Sequence, residues 1–101
     1  MENRSQAVEY KLYLGRNQGN KPIEASRLTI FFAIQGAKLP GFTLVDGLGF
    51  WEGAVEETLI LVYIGTVQDR DRIKKVGKEY KAWFKQQAVY MTETLITLEI
   101  L

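Results

Sequence analysis

The most apolar stretch of the chain lies near its middle, at residues 58–64, where the sequence reads TLILVYI. Both alternating sets of side chains in this stretch are mainly apolar, and most of its residues are β-branched or aromatic. This pattern predicts a β-strand that is buried on both faces, because a surface strand alternates apolar and polar residues. Both faces must then be covered, and a chain of 101 residues supplies only part of that cover.

An alternating pattern nearer the start of the chain predicts a half-buried strand at residues 8–14. The polar residues before it, 1–7, are expected to form a disordered tail. The rest of the chain, 8–101, is expected to form a single α+β domain. Its last part, 88–101, reads as extended, and the pattern does not indicate what the final residues pair with.

A long extended segment is predicted at residues 42–52. We expect it to be one strand, bent or bulged at Gly47 and Gly49, which turns at Gly53 into the central strand. The alternative is a hairpin turn at Asp46 and the glycine that follows it.

A first helix is predicted at residues 23–35, because Pro22 suits the first turn of a helix and Gly36 suits its end. This segment carries a broad apolar surface. The sequence of its middle part, TIFF, would also suit a strand.

The second helix is predicted more clearly, by apolar residues at spacings of three, four and seven. These residues are Ile73, Val76, Tyr80, Trp83 and Phe84. Thr66 and Asp69 resemble a capping box at its start. Gly77 lies inside the helix, where glycine costs about 1 kcal/mol relative to alanine, so we expect close backbone packing there.

The predicted order of strand, helix, strand, strand, helix, strand is typical of a ferredoxin-like sandwich, with two helices on one face of an antiparallel sheet. A dimeric α/β barrel is a related arrangement. The first and third strands would be central, and one face of the third would stay open. That face is either Leu59, Leu61 and Tyr63 or the alternating set from Thr58 to Ile64. An exposed apolar stripe usually marks association, so we predict a homodimer, with Leu59, Leu61 and Tyr63 as its interface.

The amino-acid composition limits the kinds of catalysis and metal binding that the chain could support. The chain has no cysteine and no histidine, and 13 basic residues balance 12 acidic ones. The missing histidine removes the usual general base near neutral pH and the commonest metal ligand, so we expect no metal site and no cofactor. The polar N-terminus resembles neither a signal peptide nor a membrane span, and we expect a soluble, cytoplasmic protein without a membrane partner.

A few polar residues are candidates for chemistry. Asp46 shares the even register of apolar neighbours, so it points inward unless a bulge at Gly47 turns it out. Tyr13 lies on the polar face of the first strand. The carboxylates of residues 52, 56 and 57 flank a turn and are expected to be solvated. The second helix carries a stripe of lysines that could contact phosphates: Lys74, Lys78, Lys81 and Lys85. The net charge close to zero argues against nucleic acid as a partner.

Three stretches together resemble a known bacterial family. They are LYLGR at residues 12–16, PGFTLVDGLGFW at 40–51 and YKAWFKQQAV at 80–89. The family is the one catalogued as domain of unknown function 3574, and the resemblance covers about residues 8–92. No activity is established for it, so the resemblance implies domain boundaries and no catalytic residue. It draws attention to Arg16 and Gln87, for which the sequence offers no structural reason.

Two functions from different classes follow. The first is a non-enzymatic binding or assembly module that homodimerises through its sheet. The alternative is a cofactor-independent enzyme with a small-molecule pocket between sheet and helices, and nucleic-acid binding by the lysine stripe is a second alternative. A small-molecule ligand would contact the candidate binding residues Arg16, Tyr13, Asp46, Trp51 and Gln87.

Overall fold

The computed structural model describes residues 4–101. Its strands are β1 (Arg4–Gly15), β2 (Asn17–Gln18), β3 (Lys21–Pro22), β4 (Thr43–Trp51), β5 (Ala54–Gly65) and β6 (Tyr90–Glu99). Its helices are α1 (Ala25–Gly36) and α2 (Arg70–Trp83), and a short 3-10 turn at Val67–Asp69 precedes α2. Neither helix is long and apolar enough to cross a membrane.

The four long strands form one antiparallel sheet in the order β4-β5-β1-β6, with β1 and β5 in the centre, as predicted. Both helices pack on the same face, where their apolar side chains meet those of the central strands. The predicted α+β fold class is confirmed. Within residues 4–101 the sheet is open and forms no closed barrel. The fully buried side chains include Tyr10, Leu12, Leu14, Phe31, Leu61, Ile73, Tyr80 and Phe84.

The strands are staggered, so two ends of the sheet are only two strands wide. β1 ends where Gly15 pairs with Thr58, and residues 48–57 of β4 and β5 continue beyond it as a two-stranded arm. At the opposite corner, residues 4–7 pair only with the end of β6. The predicted tail is therefore too long, because β1 begins at Arg4; residues 1–3 lie outside the described part of the chain.

β4 is a single long strand, as predicted, but it contains no bulge. Its pairing with β5 is uninterrupted from Thr43 opposite Val62 to Trp51 opposite Ala54. The expected bulge at the β4 glycines and the alternative hairpin turn within β4 are both wrong. The predicted turn at Gly53 is confirmed: Glu52 and Gly53 have φ angles of 49° and 80°, which are typical of a tight type I′ hairpin.

The helices begin and end close to where the pattern placed them. α1 starts two residues later than predicted, because Pro22 pairs with Asn17 in the small β2–β3 hairpin. The predicted capping contact before α2 is present: the backbone N–H of Thr66 donates to Oδ2 of Asp69 at 2.9 Å. Gly77 packs closely on the sheet, as expected, since an added Cβ would lie 3.1 Å from Cδ2 of Leu12.

The choice of dimer interface is wrong. Leu59, Leu61 and Tyr63 lie under the helices and are at most 8% exposed, so they belong to the core. Side chains alternate along a strand, so the other set of β5, from Thr58 to Ile64, lies on the open face of the sheet. The sequence could not decide between the two sets because both are apolar.

Candidate functional site

A cleft of about 640 Å³ lies where β1 ends. Its floor is the open face of the sheet around Tyr13 and Ile60. The two-stranded arm, with Trp51, forms one wall, and the β2–β3 hairpin and residues 85–90 form the other. Gly47 and Gly49 also lie on this face of β4, where the absence of side chains leaves the floor open.

Aromatic side chains line the cleft. Tyr13 and Tyr90 are a cross-strand pair at the meeting of β1 and β6. The ring centroids of Trp51 and Tyr90 are 6.4 Å apart and their planes are inclined by 47°. Trp51 is 42% exposed and Tyr90 is 56% exposed, although both are large aromatic residues. A flat, partly apolar ligand could stack on these rings.

Two oxygen atoms converge on Gly15 at the inner end of the cleft. Oε1 of Glu56 and Oε1 of Gln86 each lie 2.5 Å from the position that a Cβ of residue 15 would occupy. They are therefore separated by no more than twice that distance. Within residues 4–101, no ion pair or side-chain hydrogen bond uses the Glu56 carboxylate. A side chain at residue 15 would displace both oxygens from these positions.

The orientation of Gln86 is set by backbone contacts. Its Nε2 donates to the carbonyl oxygens of Asn17 at 2.8 Å and Phe84 at 3.1 Å, which leaves Oε1 directed at Gly15. The preceding residue, Lys85, has a φ angle of 52°, a conformation that turns the chain sharply after α2. The backbone N–H of Gln86 donates to the carbonyl oxygen of Lys81 at 2.9 Å, so the turn is closed by the end of the helix.

Tyr80 contacts Gly15 from the core side of the sheet. Its hydroxyl donates to the carbonyl oxygen of Gly15 at 2.6 Å. Burial raises the pKa of the Tyr80 phenol, and the nearby Arg16 guanidinium offsets only part of that rise. The phenol therefore stays protonated and acts as a hydrogen-bond donor at neutral pH.

The structure brings three of the five candidate binding residues to the cleft and leaves two outside it. Tyr13, Trp51 and Gln87 line the cleft. Arg16 and Asp46 lie on the other face of the sheet, where Nη1 of Arg16 donates to Oδ1 of Asp46 at 2.9 Å. Asp46 does keep the register of its apolar neighbours, but the helices do not reach this part of β4, and its side chain is 77% exposed.

Sequence reasoning missed three residues of the site. Glu56 was expected to be solvated, and Gln86 and Tyr90 were not considered. The parity of Glu56 with Thr58 and Ile60 could have placed it on the same face of β5. Gln86 had no such signal, because its position depends on the turn at Lys85.

The predicted lysine stripe is divided between two places. Lys74, Lys78 and Lys81 border a groove of about 320 Å³ between α2 and β6, together with Arg70. Arg70 is engaged by the Glu93 carboxylate, a hydrogen bond that raises its pKa. Lys85 lies instead at the cleft. The four lysines thus do not form one continuous basic surface.

The family resemblance is confirmed by comparison with family models. The model described as "Protein of unknown function (DUF3574)" matches residues 9–99. The chain belongs to this family. No curated protein matches the chain.

Solved structures with the same fold include a phage SAM lyase. Its complex with S-methyl-5'-thioadenosine has a TM-score of 0.70 and 19% sequence identity to this family member, and the match covers 93% of this chain and 90% of that chain. The apo state gives a TM-score of 0.71 and 20% identity, over 92% and 89% of the two chains. At this identity the likeness shows the fold alone.

This comparison overturns our first expectation of function. The two solved structures reported above are those of an enzyme, and this finding contradicts the expected non-enzymatic binding or assembly module. The alternative, a cofactor-independent enzyme that acts on a small molecule, agrees better with it. The pocket expected for that enzyme is on the open face, however, and not between sheet and helices.

Proposed function

We propose that this chain is a cofactor-independent enzyme that cleaves a small nucleoside sulfonium of the SAM class in the cleft at the end of β1. The observation that carries the proposal is the cleft itself, which is lined both by the Trp51–Tyr90 ring pair and by the Glu56 carboxylate. The shared fold with a phage SAM lyase supports the choice of substrate.

The cleft has the size and lining that such a ligand needs. Its volume of about 640 Å³ is ordinary for a small-molecule pocket. A purine ring stacks favourably on aromatic side chains, at about 1–3 kcal/mol per base. A sulfonium is a soft cation, and aromatic faces and carboxylates attract it. Among the described residues that line the cleft, Glu52 and Glu56 are acidic and Lys85 is the one basic residue.

The chemistry suits a chain without histidine. When the carbon–sulfur bond of a sulfonium breaks, both electrons go to sulfur, which leaves as a neutral thioether and needs no proton. The carboxylate that SAM itself carries can form the new carbon–oxygen bond as the old bond breaks. The step therefore balances without an external base, oxidant or cofactor, and the protein's task is to hold the substrate folded for displacement.

Incubation of the purified protein with SAM tests this function directly. We expect S-methyl-5'-thioadenosine to appear, measured by liquid chromatography with mass spectrometry. Trp51→Ala should raise KM about tenfold, because it removes a stacking surface. Asp46→Asn is the matched control, since Asp46 lies on the other face and should leave the rate unchanged. No turnover, with no binding of SAM by calorimetry, would refute the proposal.

We also propose that the protein is a homodimer of ferredoxin-like subunits. On the open face of the sheet, Val45 and Ile64 are 44% and 45% exposed, and Val62 lies between them. These three residues, the open-face stripe, lie on the part of the sheet away from the arm, and none of them lines the cleft. A second copy packed on the stripe would bury apolar surface and leave the cleft accessible.

A further inference from the structure

We infer that the space beside Gly15, between Oε1 of Glu56 and Oε1 of Gln86, binds the positively charged centre of the ligand. This inference rests on the proposed function and assigns the residues that make the cleft selective for a sulfonium over a neutral thioether. The charged group would be a sulfonium or a similarly substituted onium ion. It would contact the two oxygens through its polarised C–H groups.

The first step of the argument is that both groups facing Gly15 are acceptors. An ionised carboxylate only accepts hydrogen bonds, and so does the amide oxygen of glutamine. Both oxygens lie 2.5 Å from the point that a Cβ of residue 15 would occupy. Within the described residues 4–101, no side chain or backbone N–H donates a hydrogen bond to either oxygen. Two acceptors held in this way repel each other, and the arrangement is stabilised when positive charge lies between them.

The second step is that Gln86 cannot relieve this repulsion by turning over. Its Nε2 donates to the carbonyl oxygens of Asn17 and Phe84. A flipped amide would place its oxygen against both carbonyl oxygens and lose two hydrogen bonds, each worth about 1 kcal/mol. The acceptor is therefore held toward Glu56 by the turn after α2 and by the β2 strand.

The third step is that the surroundings suit an onium ion better than a metal ion or an ammonium group. Tyr13 and Tyr90 lie in the same cleft, and aromatic faces attract a weakly hydrated cation. A sulfonium has no N–H to donate and needs only diffuse negative charge around it. The open apolar floor at Ile60 and the β4 glycines gives room for its carbon substituents.

A charge-selective position of this kind has a consequence for turnover. Breaking the carbon–sulfur bond removes the positive charge, so the thioether product loses its attraction to Glu56 as soon as it forms. The site would then bind the substrate more tightly than the product. Release of the product would not require the cleft to change shape.

The inference is tested by NMR titration with trimethylsulfonium, and dimethyl sulfide serves as its neutral analogue. The side-chain amide signals of Gln86 should shift saturably with trimethylsulfonium and not with dimethyl sulfide. Glu56→Gln should weaken this binding at least about tenfold, equivalent to about 1.4 kcal/mol. Gly15→Ala should do the same, because its methyl group displaces both oxygens.

Matched controls are available for both substitutions. Asp46→Asn also removes one carboxylate, on the other face. Gly36→Ala also adds one methyl group, at the end of α1, where nothing lies within 4 Å of the added carbon. Both should bind trimethylsulfonium like the unmodified protein. If Gly15→Ala fails to fold, Glu56→Gln carries the test alone.

The outcomes separate this inference from the proposed function. No shift at Gln86 in the unmodified protein, or equal affinity in Glu56→Gln, overturns the inference even if SAM is cleaved. Charge-selective binding that Glu56→Gln weakens supports the inference even if SAM is not cleaved, and then the proposed reaction is the part that fails.

Discussion

The hydroxyl of Tyr80 donates a 2.6 Å hydrogen bond to the carbonyl oxygen of Gly15. This bond ties the last turns of α2 to the end of β1, directly behind the point where the oxygens of Glu56 and Gln86 converge. The same helix end continues into the turn that orients Gln86. One buried phenol thus links the core to the floor and the wall of the cleft.

The buried tyrosines predict how stability depends on alkaline pH. Burial raises the pKa of Tyr80 and of Tyr10 above the ordinary value of 10.0, and in Tyr10 the charge of Glu93 adds to the rise. A phenol with a raised pKa in the folded state keeps its proton when the unfolded chain has lost it. The free energy of unfolding should therefore be constant with respect to these groups below pH 10 and fall above it.

Denaturant unfolding across this pH range, followed by circular dichroism, measures the effect. Tyr80→Phe removes one of the two titrating phenols, so its stability should fall less steeply above pH 10. Tyr13→Phe is the matched control for the loss of a hydroxyl group, because Tyr13 lies on the open face of the sheet and not in the core. If tyrosinate absorbance shows Tyr10 and Tyr80 ionising together with the other tyrosines in the folded protein, the prediction is wrong.

The ion pair between Arg16 and Asp46 should contribute little to stability. The Asp46 side chain is 77% exposed, and exposed ion pairs are worth about 0–1 kcal/mol. Asp46→Asn should lower the free energy of unfolding by less than about 1 kcal/mol, measured by urea unfolding at low and high salt. A larger loss, or one that salt does not reduce, would show that the pair is structural.

The two faces of the sheet show how much of the structure could be predicted from the sequence. The spacing of apolar residues in β1 and α2 was enough to predict both elements. The order of the elements was enough to predict an antiparallel sheet with β1 and β5 in its centre. The placement of Arg16 and Asp46 was not predictable, because it depends on where the helices stop covering β4. The orientation of the Gln86 side chain could not be predicted, because it depends on the single positive φ angle at Lys85.

The apolar character of both faces of β5 explains why the wrong set of residues was predicted as the dimer interface. In β5, both Leu61 and Ile60 belong to apolar sets, so hydropathy alone could not say which set the helices cover. The register settles it: Leu61 pairs with Leu12, and Ile60 pairs with Tyr13. Cross-strand partners share a face, and only the first pair lies opposite α2.

The open-face stripe predicts the outcome of a charge substitution on each face. If a second copy covers the stripe, Ile64→Lys should give a folded monomer, because lysine on this exposed position opposes burial in an interface. Leu61→Lys, on the core face of the same strand, should unfold the protein, because a buried unpaired charge costs several kcal/mol. Analytical ultracentrifugation measures the oligomeric state of each variant, and circular dichroism shows whether it is folded. A monomeric unmodified protein would contradict the homodimer.

Gly77 offers a test of how tightly α2 packs on the sheet. Alanine is favoured over glycine by about 1 kcal/mol inside a helix. The added methyl group would, however, lie 3.1 Å from Leu12 and 3.4 Å from Val89. Leu12 is 1% exposed and is held between strands, so it cannot easily move aside. Overpacking of this kind costs about 1–3 kcal/mol, which exceeds the helical gain.

We therefore expect Gly77→Ala to lower the free energy of unfolding by about 1 kcal/mol, measured by thermal and denaturant unfolding. Gly36→Ala is the matched control, because its methyl group meets no neighbour and only the helical preference acts. It should be neutral or slightly stabilising. If both substitutions stabilise the protein equally, α2 can shift away from β1. In that case the Tyr80–Gly15 bond, which depends on the same approach, could not hold the cleft in one shape.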